Sequence, residues 1–502
     1  MRAQLDVLKQ RLADVHNLNR AMAVLSWDQH TYMPPGGAFA RAAQTATLSR
    51  LAHDIFIAPE TGELLHEAVQ EIPEFQPDGD DADLLRVAKR DYDRAIKVPT
   101  SLVTAINEHS VLALPVWVRA RQENDFASFA PYLEKTVKLS RELAEHLGYE
   151  EHIYDPLLDE AEPGMKTSQM VSLFDTLRRE LVPLARAISE RLDRVDDAAL
   201  HQPFDEAKQE AFGRMVVERF GYDFLRGRQD RTVHPFETTF SRNDVRITTR
   251  FDPAWLSPAL FGTMHEAGHG LYEQGIAPSL EGTLLARGAS LGLHESQSRL
   301  WENVVGRSRP FWEHFYPRLQ ETFPQQLSGV ALDEFYLAVN RVEPSFIRVE
   351  ADEVTYNLHA LLRFEVELDL LRDRYSVADA PEVWKQKMEE YLGIRPPSDS
   401  LGILQDMHWS GGVFGYFPTY TLGNVLSVQF FEAAVREFPE IPDRIGQGDF
   451  GALRSWLTDR IYRHGRKYEP NELIEMATGE PIQSRSYIGY LKTKYGAIYG
   501  LS

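Results

Sequence analysis

Apolar side chains recur at three- and four-residue steps through most of this 502-residue chain, which restricts it largely to helices that each bury one stripe. Leu5, Leu8, Leu12, Val15, Leu18, Met22 and Leu25 trace the first stripe. The same spacing predicts helices over Ala82–Ile96, Pro99–Asn124, Phe129–Leu147, Ser168–Leu192 and Asp205–Phe220, with Gly148 and Gly221 as stops. It returns over Leu256–Gln274, Ser296–Val305, Phe311–Thr322, Leu332–Val342, Tyr356–Arg374, Pro381–Leu392, Val425–Phe438 and Phe450–Tyr462. His234–Phe251 departs from it: Thr, Phe, Val and Ile gather around Ser241-Arg242-Asn243-Asp244, which reads as two strands and a short turn. No low-complexity linker or fixed-period repeat marks a seam, and the acidic stretch Glu74–Asp83 reads as a surface excursion. The expected fold is mostly α: a single, bilobed helical domain over residues 1–502, with a small antiparallel sheet near its middle.

Inside one predicted helix stands His265-Glu266-Ala267-Gly268-His269. Ser257 is the expected N-cap, Pro258 the first helical residue and Gly275 the stop. Residues four apart on a helix lie about 40° apart around its axis, so His265 and His269 project side by side and can grip one cation. Glu266, next to the first histidine, is placed to take a proton from an activated water. The chain has no cysteine, so any metal must bind through His, Asp or Glu. A hydrolytic zinc site normally takes a third protein ligand. Tyr272 and Gly275 exclude the extension that would supply a third histidine, which leaves a glutamate on a following helix. Glu295, in His294-Glu295-Ser296-Gln297, is preferred; Glu302 and Glu273 are its rivals.

Composition narrows the partners. With 54 basic against 75 acidic residues and no basic block, the chain would repel a phosphate backbone, so no nucleic acid is expected. No apolar run is long enough for a membrane span, and Met1–Leu18 mixes charges into its apolar stripe rather than forming a leader's apolar centre. A cytoplasmic protein is expected.

Six strings carry a resemblance: Trp27-Asp28-Gln29 with Met33-Pro34 and Gly36-Gly37; His234-Pro235-Phe236; Asp244-Val245-Arg246-Ile247-Thr248; His265 to His269; His294 to Gln297; and Gly402-Ile403-Leu404-Gln405-Asp406-Met407-His408-Trp409. Together, in this order, they resemble the carboxypeptidase Taq family of zinc metallocarboxypeptidases, with no departure at the ligand or base positions. The resemblance implies a mostly helical fold with a long deep groove, a small sheet beside the metal, release of single C-terminal amino acids with broad preference, and a homodimer.

On that reading zinc, or cobalt in its place, is held by His265, His269 and Glu295, and Glu266 is the general base. Arg348 is the leading candidate to bind a peptide's terminal carboxylate; the alternative is an ion pair with Glu350 or Asp352. Arg246 is the second candidate: in the family its string helps close the groove and limit substrate length, while alone it reads as a strand arginine paired with Asp244. Tyr420, or Tyr416, would stabilise the oxyanion, and His408 and His234 are further donors to a substrate carbonyl. Asp406 and Gln405 are candidates to orient the metal-binding imidazoles, and Trp27-Asp28-Gln29 to hold the N-terminal helices over the groove. The rival activities are a dipeptidyl carboxypeptidase or oligopeptidase using the same site, and a silent helical binding protein.

Overall fold

The computed structural model describes residues 3–71 and 79–501; Glu74 to Asp78 of the acidic stretch lie outside them. Among the described residues 21 α-helices form, and the ends of many follow their capping chemistry. The carboxylates of Asp125 and Asp205 accept the N–H groups of Ser128 and Lys208 at the starts of Phe126–Leu147 and Glu206–Phe220. Gly221, at φ 108°, stops the latter in a conformation that a side chain would strain.

The first helix runs Ala3–Thr31, longer than its stripe. Leu5, Leu8, Leu12 and Val15 are buried, whereas Leu18, Met22 and Leu25 are half-buried before Trp27 closes the face. The helix Ala38–Ile57 follows with only Ala52 buried, so it has almost no stripe to read in the sequence. The C-terminal helix Arg485–Tyr499 does carry one, Tyr487, Ile488, Leu491, Tyr495 and Tyr499, where a connector was expected. The helix expected from Val425 begins two turns earlier, at Phe417, and these turns bury Phe417 and Leu422 beside Pro418, Thr419, Thr421 and Gly423.

The sheet is mixed, which corrects the antiparallel expectation. β2 (Glu237–Ser241) and β3 (Asp244–Thr249) form the expected antiparallel hairpin, but β1 (Gly227–Arg231) pairs in parallel with the other edge of β3. β1 reads Gly-Arg-Gln-Asp-Arg and has no alternation of apolar residues. Its buried side chains are polar and hydrogen-bonded: the Gln229 amide N–H groups donate to the Thr249 and Thr263 hydroxyls, and Asp230 accepts from Tyr32 and Arg228.

Two large apolar clusters fill the molecule. One gathers around Phe129, Phe174, Trp384 and Trp409, the other around Phe220, Trp301, Phe311 and Trp312. The helix Phe417–Glu437 gives Val425 and Val428 to the first and Leu426 and Phe430 to the second, as a helix apolar on all sides must. A third, smaller cluster seats Leu5, Leu8 and Leu12 against Ile276 and Leu280, just past the His265–His269 helix.

Candidate metal centre

Two helices, Leu256–Gly275 and Leu291–Arg299, build the centre. The first starts at Leu256 after an extended Trp255, so Ser257 is not its N-cap and the helix begins two residues earlier than expected, with Leu256 buried in the second cluster. Pro258 sits in the first turn, where its missing N–H costs nothing, and Gly275 ends the helix as expected. The second helix is capped by Ser290, whose hydroxyl accepts the Leu293 N–H, and passes at Leu300–Val305 into a wider π turn.

Contact between these helices depends on Gly268. A methyl group there would lie 2.6 Å from the Gln297 carbonyl oxygen and the Ser298 Cα, which is backbone and cannot swing aside. Gly423, on the helix Phe417–Glu437, likewise leaves room for the Glu295 side chain, 2.3 Å from where its own methyl group would stand. Glu295 therefore reaches the histidines from a closely packed helix. His265, His269 and Glu295 each present a ligand atom, all within 4.8 Å of one another. Glu295 Oε2 lies 3.7 Å from His265 Nε2 and 3.5 Å from His269 Nε2.

The other ring nitrogens are already engaged. His265 Nδ1 is 2.8 Å from Glu302 Oε2. His269 Nδ1 is 2.6 Å from His294 Nδ1, and His294 Nε2 is 3.0 Å from Glu273 Oε1. With His294 neutral, protons follow one order: His294 Nε2–H donates to Glu273, His269 Nδ1–H donates to His294, and His265 Nδ1–H donates to Glu302. Both Nε2 lone pairs then face the common point. Of the two rivals for third ligand, Glu302 thus holds His265 from behind and Glu273 holds His269 through His294, whereas Asp406 and Gln405, expected there, do not.

Burial opposes every charge here, so specific partners decide. The Arg299 guanidinium, whose Nε donates to Glu295 Oε1 at 2.7 Å, and the two imidazoles outweigh burial and keep Glu295 ionised well below the usual carboxylate range. Arg299 and His265 likewise draw Glu302 down to about 2 against its burial. Glu266 has no such partner, and burial pushes its carboxyl up to about 7. The donor set, two imidazole nitrogens and a carboxylate oxygen, fits a divalent ion of the zinc type. Neither Arg299 nor His294 was read from the sequence as a site residue, although the Glu295–Arg299 spacing of four was visible there.

Tyr420 and His408 meet beside this centre, with the Tyr420 hydroxyl 3.3 Å from His408 Nε2 and the Tyr416 ring 5.2 Å from that of Tyr420. Burial, then the charge of Glu295, pushes the Tyr416 phenol up to about 12, so it stays a donor. Burial likewise lowers His408 to about 4. Arg348 stacks over Tyr420 at 4.6 Å. Its ion pair is with Asp406, through Nε and Nη2 at 3.1 and 2.8 Å, and its Nη1 donates to the Tyr356 hydroxyl. Asp406 also accepts from Arg363, so two guanidiniums share one carboxylate. Gln405 accepts the Arg348 N–H. Glu350 is not its partner, and Asp352 instead accepts the Val354 and Thr355 N–H groups ahead of the helix Tyr356–Leu371.

Arg246 forms the plainer of its two expected contacts, a fork onto Asp244 at 2.8 and 2.9 Å, and also stacks on Trp27 at 4.3 Å. Trp27 thereby ties the N-terminal helix to the sheet, and Asp28 accepts from Arg41 of the next helix. His234 is exposed between β1 and β2, and among the described residues its side chain has no hydrogen-bond partner.

The model of the carboxypeptidase Taq (M32) metallopeptidase family matches residues 7–495. The chain belongs to that family. It is 43% identical over 489 residues to thermostable carboxypeptidase 1 of Thermus thermophilus, covering 95% of each chain. To carboxypeptidase 1 of Bacillus subtilis it is 38% identical over 497 residues, 98% of this chain and 97% of the other. The crystal structure of an M32 carboxypeptidase from Deinococcus radiodurans R1 superposes with a TM-score of 0.96 at 42% identity, covering 99% of this chain and 100% of that one. Membership in this carboxypeptidase family makes the chain a peptide hydrolase, and the family's chemistry calls for a divalent metal. No helix among the described residues is long and apolar enough to cross a membrane.

Proposed function

We propose that this M32 peptidase is a zinc-dependent carboxypeptidase that releases single C-terminal amino acids with broad preference, with cobalt able to replace zinc. The observation that carries this reading is the convergence of His265, His269 and Glu295 with their outer ring nitrogens engaged. A divalent ion bound there supplies Lewis acidity and makes water a nucleophile near neutral pH. Glu266, buried beside His265, takes the proton from the attacking water and passes it to the leaving nitrogen. Tyr420, or its neighbour Tyr416, donates to the developing oxyanion, with His408 steadying Tyr420 or donating to a substrate carbonyl itself. The Arg348, Arg363 and Asp406 cluster carries two cations for one carboxylate, a deficit that the peptide's terminal carboxylate would fill at Arg348. Arg246 with Trp27 closes one end of the groove, and His234 is a donor at the rim.

The reading includes one catalytic unit over residues 1–502, since both large clusters hold elements of the site, as well as a homodimer and a cytoplasmic location, checked by sedimentation and fractionation. The deciding experiment is mass analysis of the products from an N-terminally blocked pentapeptide. Stepwise loss of one residue from the C-terminus is expected; two-residue or internal cuts would transfer the site to a dipeptidyl carboxypeptidase or oligopeptidase.

A further inference from the structure

A cleft of about 840 Å³ reaches the edge of the metal centre at Glu273, His294 and Tyr416 and is lined by four arginines, Arg90, Arg94, Arg287 and Arg466. Three of them are neutralised. Arg466 forks onto Asp91 at 2.8 and 3.0 Å, Arg90 pairs with Asp159 at 2.7 Å, and Arg94 spans Asp159 and Glu160 at 3.1 and 2.8 Å. The cleft's remaining acid, Glu273, is taken by His294. Among the described residues the Arg287 guanidinium has neither a hydrogen bond nor an ion pair, although it is exposed to the cleft and walled by protein.

Its place is fixed by the chain on either side. The Arg287 N–H is bonded back to the Leu285 carbonyl oxygen, and the next N–H, of Gly288, donates to Glu273 Oε1 at 3.0 Å, the atom that also holds His294. A methyl group on Gly288 would lie 2.6 Å from the His294 ring, so the backbone beside Arg287 presses against the support of His269. Burial, and then Arg466, lower the Arg287 pKa to about 10, as expected of a cation without a counter-ion.

We propose that Arg287 is a specificity-determining residue that recognises an acidic side chain of the peptide substrate. The assignment rests on the peptidase reading above and adds a subsite to it. A guanidinium offers a planar fork of donors that matches a carboxylate, and the carboxylates around this one are already committed to other cations.

The test uses the zinc-loaded enzyme and blocked pentapeptides in which Glu and Gln are exchanged one position at a time. At one position the wild type is expected to favour Glu over Gln in kcat/KM by about tenfold, the equivalent of one charge-assisted contact. Arg287→Ala should bring that ratio to about one, and Arg287→Lys, which keeps the charge and loses the fork, should restore part of it. A wild type with no preference for Glu at any position, or a preference that survives Arg287→Ala, overturns the proposal. Equal losses on both members of every pair would also overturn it, because they would mean that the arginine reads the terminal carboxylate common to all. If no peptide is cleaved, the peptidase reading fails, and calorimetric affinities of the same Glu and Gln pairs for wild type and Arg287→Ala still decide the assignment.

Discussion

Glu266 and His269 lie on the same helix within one turn, yet their substitution separates chemistry from binding. Glu266→Gln should retain bound metal, since Glu266 is not among the converging ligand groups, while kcat falls by roughly 10²–10⁴-fold. His269→Ala should lose both, as metal analysis alongside the kinetics would show. The histidine pattern and the neighbouring glutamate were legible because their relation is local to one helix. The roles of Glu302 and Glu273 were not: each is a carboxylate at a plausible helical offset, and only the rotation of the Leu291–Arg299 helix against the first aims Glu295 inward while Glu302 meets His265 from behind. Arg348 shows the same limit. Its surroundings in sequence offered Glu350 and Asp352, whereas its actual partner, Asp406, arrives from a distant segment.

At the scale of elements, the contact at Gly268 is the joint of the site. Gly268→Ala must force the Leu291–Arg299 helix away from the first, and overpacking of this kind costs about 1–3 kcal/mol. The expected result is a lower midpoint in denaturant together with weaker metal retention, since Glu295 moves with its helix. The start of that helix carries a pH signal. Glu162 is fully buried and accepts the Gly292 N–H at 3.0 Å through Oε2. Burial outweighs the Ser290 hydroxyl and the Gly292 N–H and raises its pKa to about 7 from an ordinary 4.5. A carboxyl raised on folding contributes stability that is fully present below its unfolded pKa and is lost as pH rises through its folded one. Unfolding curves of wild type and Glu162→Gln should therefore run nearly together at pH 4.5, and by pH 8 the wild type should have lost roughly 2–3 kcal/mol relative to the variant. Parallel curves across that range would mean that Glu162 is ionised in the folded protein.

At the scale of the molecule, the candidate metal centre lies between helices that already pack together. Met264 and Leu293, from the two site helices, pack in the second cluster, while the helix Phe417–Glu437, which clears Glu295 at Gly423, belongs to both. A ligand that binds only the folded chain stabilises it by mass action, about 2.7 kcal/mol at 100 times its dissociation constant. Saturating zinc should raise the thermal midpoint of the whole protein, chelation should reverse the shift, and His269→Ala should not respond. The N-terminal helices are secured differently, through Trp27 on Arg246 and the small cluster of Leu5, Leu8 and Leu12. Trp27→Ala should cost about 3 kcal/mol, and, on the proposed role of Arg246 with Trp27 in closing one end of the groove, should speed cleavage of long peptides relative to a pentapeptide.

What the sequence determined by itself was everything that one helix or one hairpin can express: most of the helices, their stops, the His265–His269 pair with its glutamate, and the β2–β3 hairpin. Helical and strand periods are local, and so are caps, so both leave their mark within a dozen residues. Tertiary structure decided the rest: the parallel partnership of the wholly polar β1, the choice of Glu295 over two other acids, the pairing of Arg348 with Asp406, and the isolation of Arg287 in a cleft where every other arginine has a counter-ion. Each depends on which surfaces of distant segments meet. A charge's partner is set by distance through space, and no spacing along the chain encodes that distance once a second element supplies the partner.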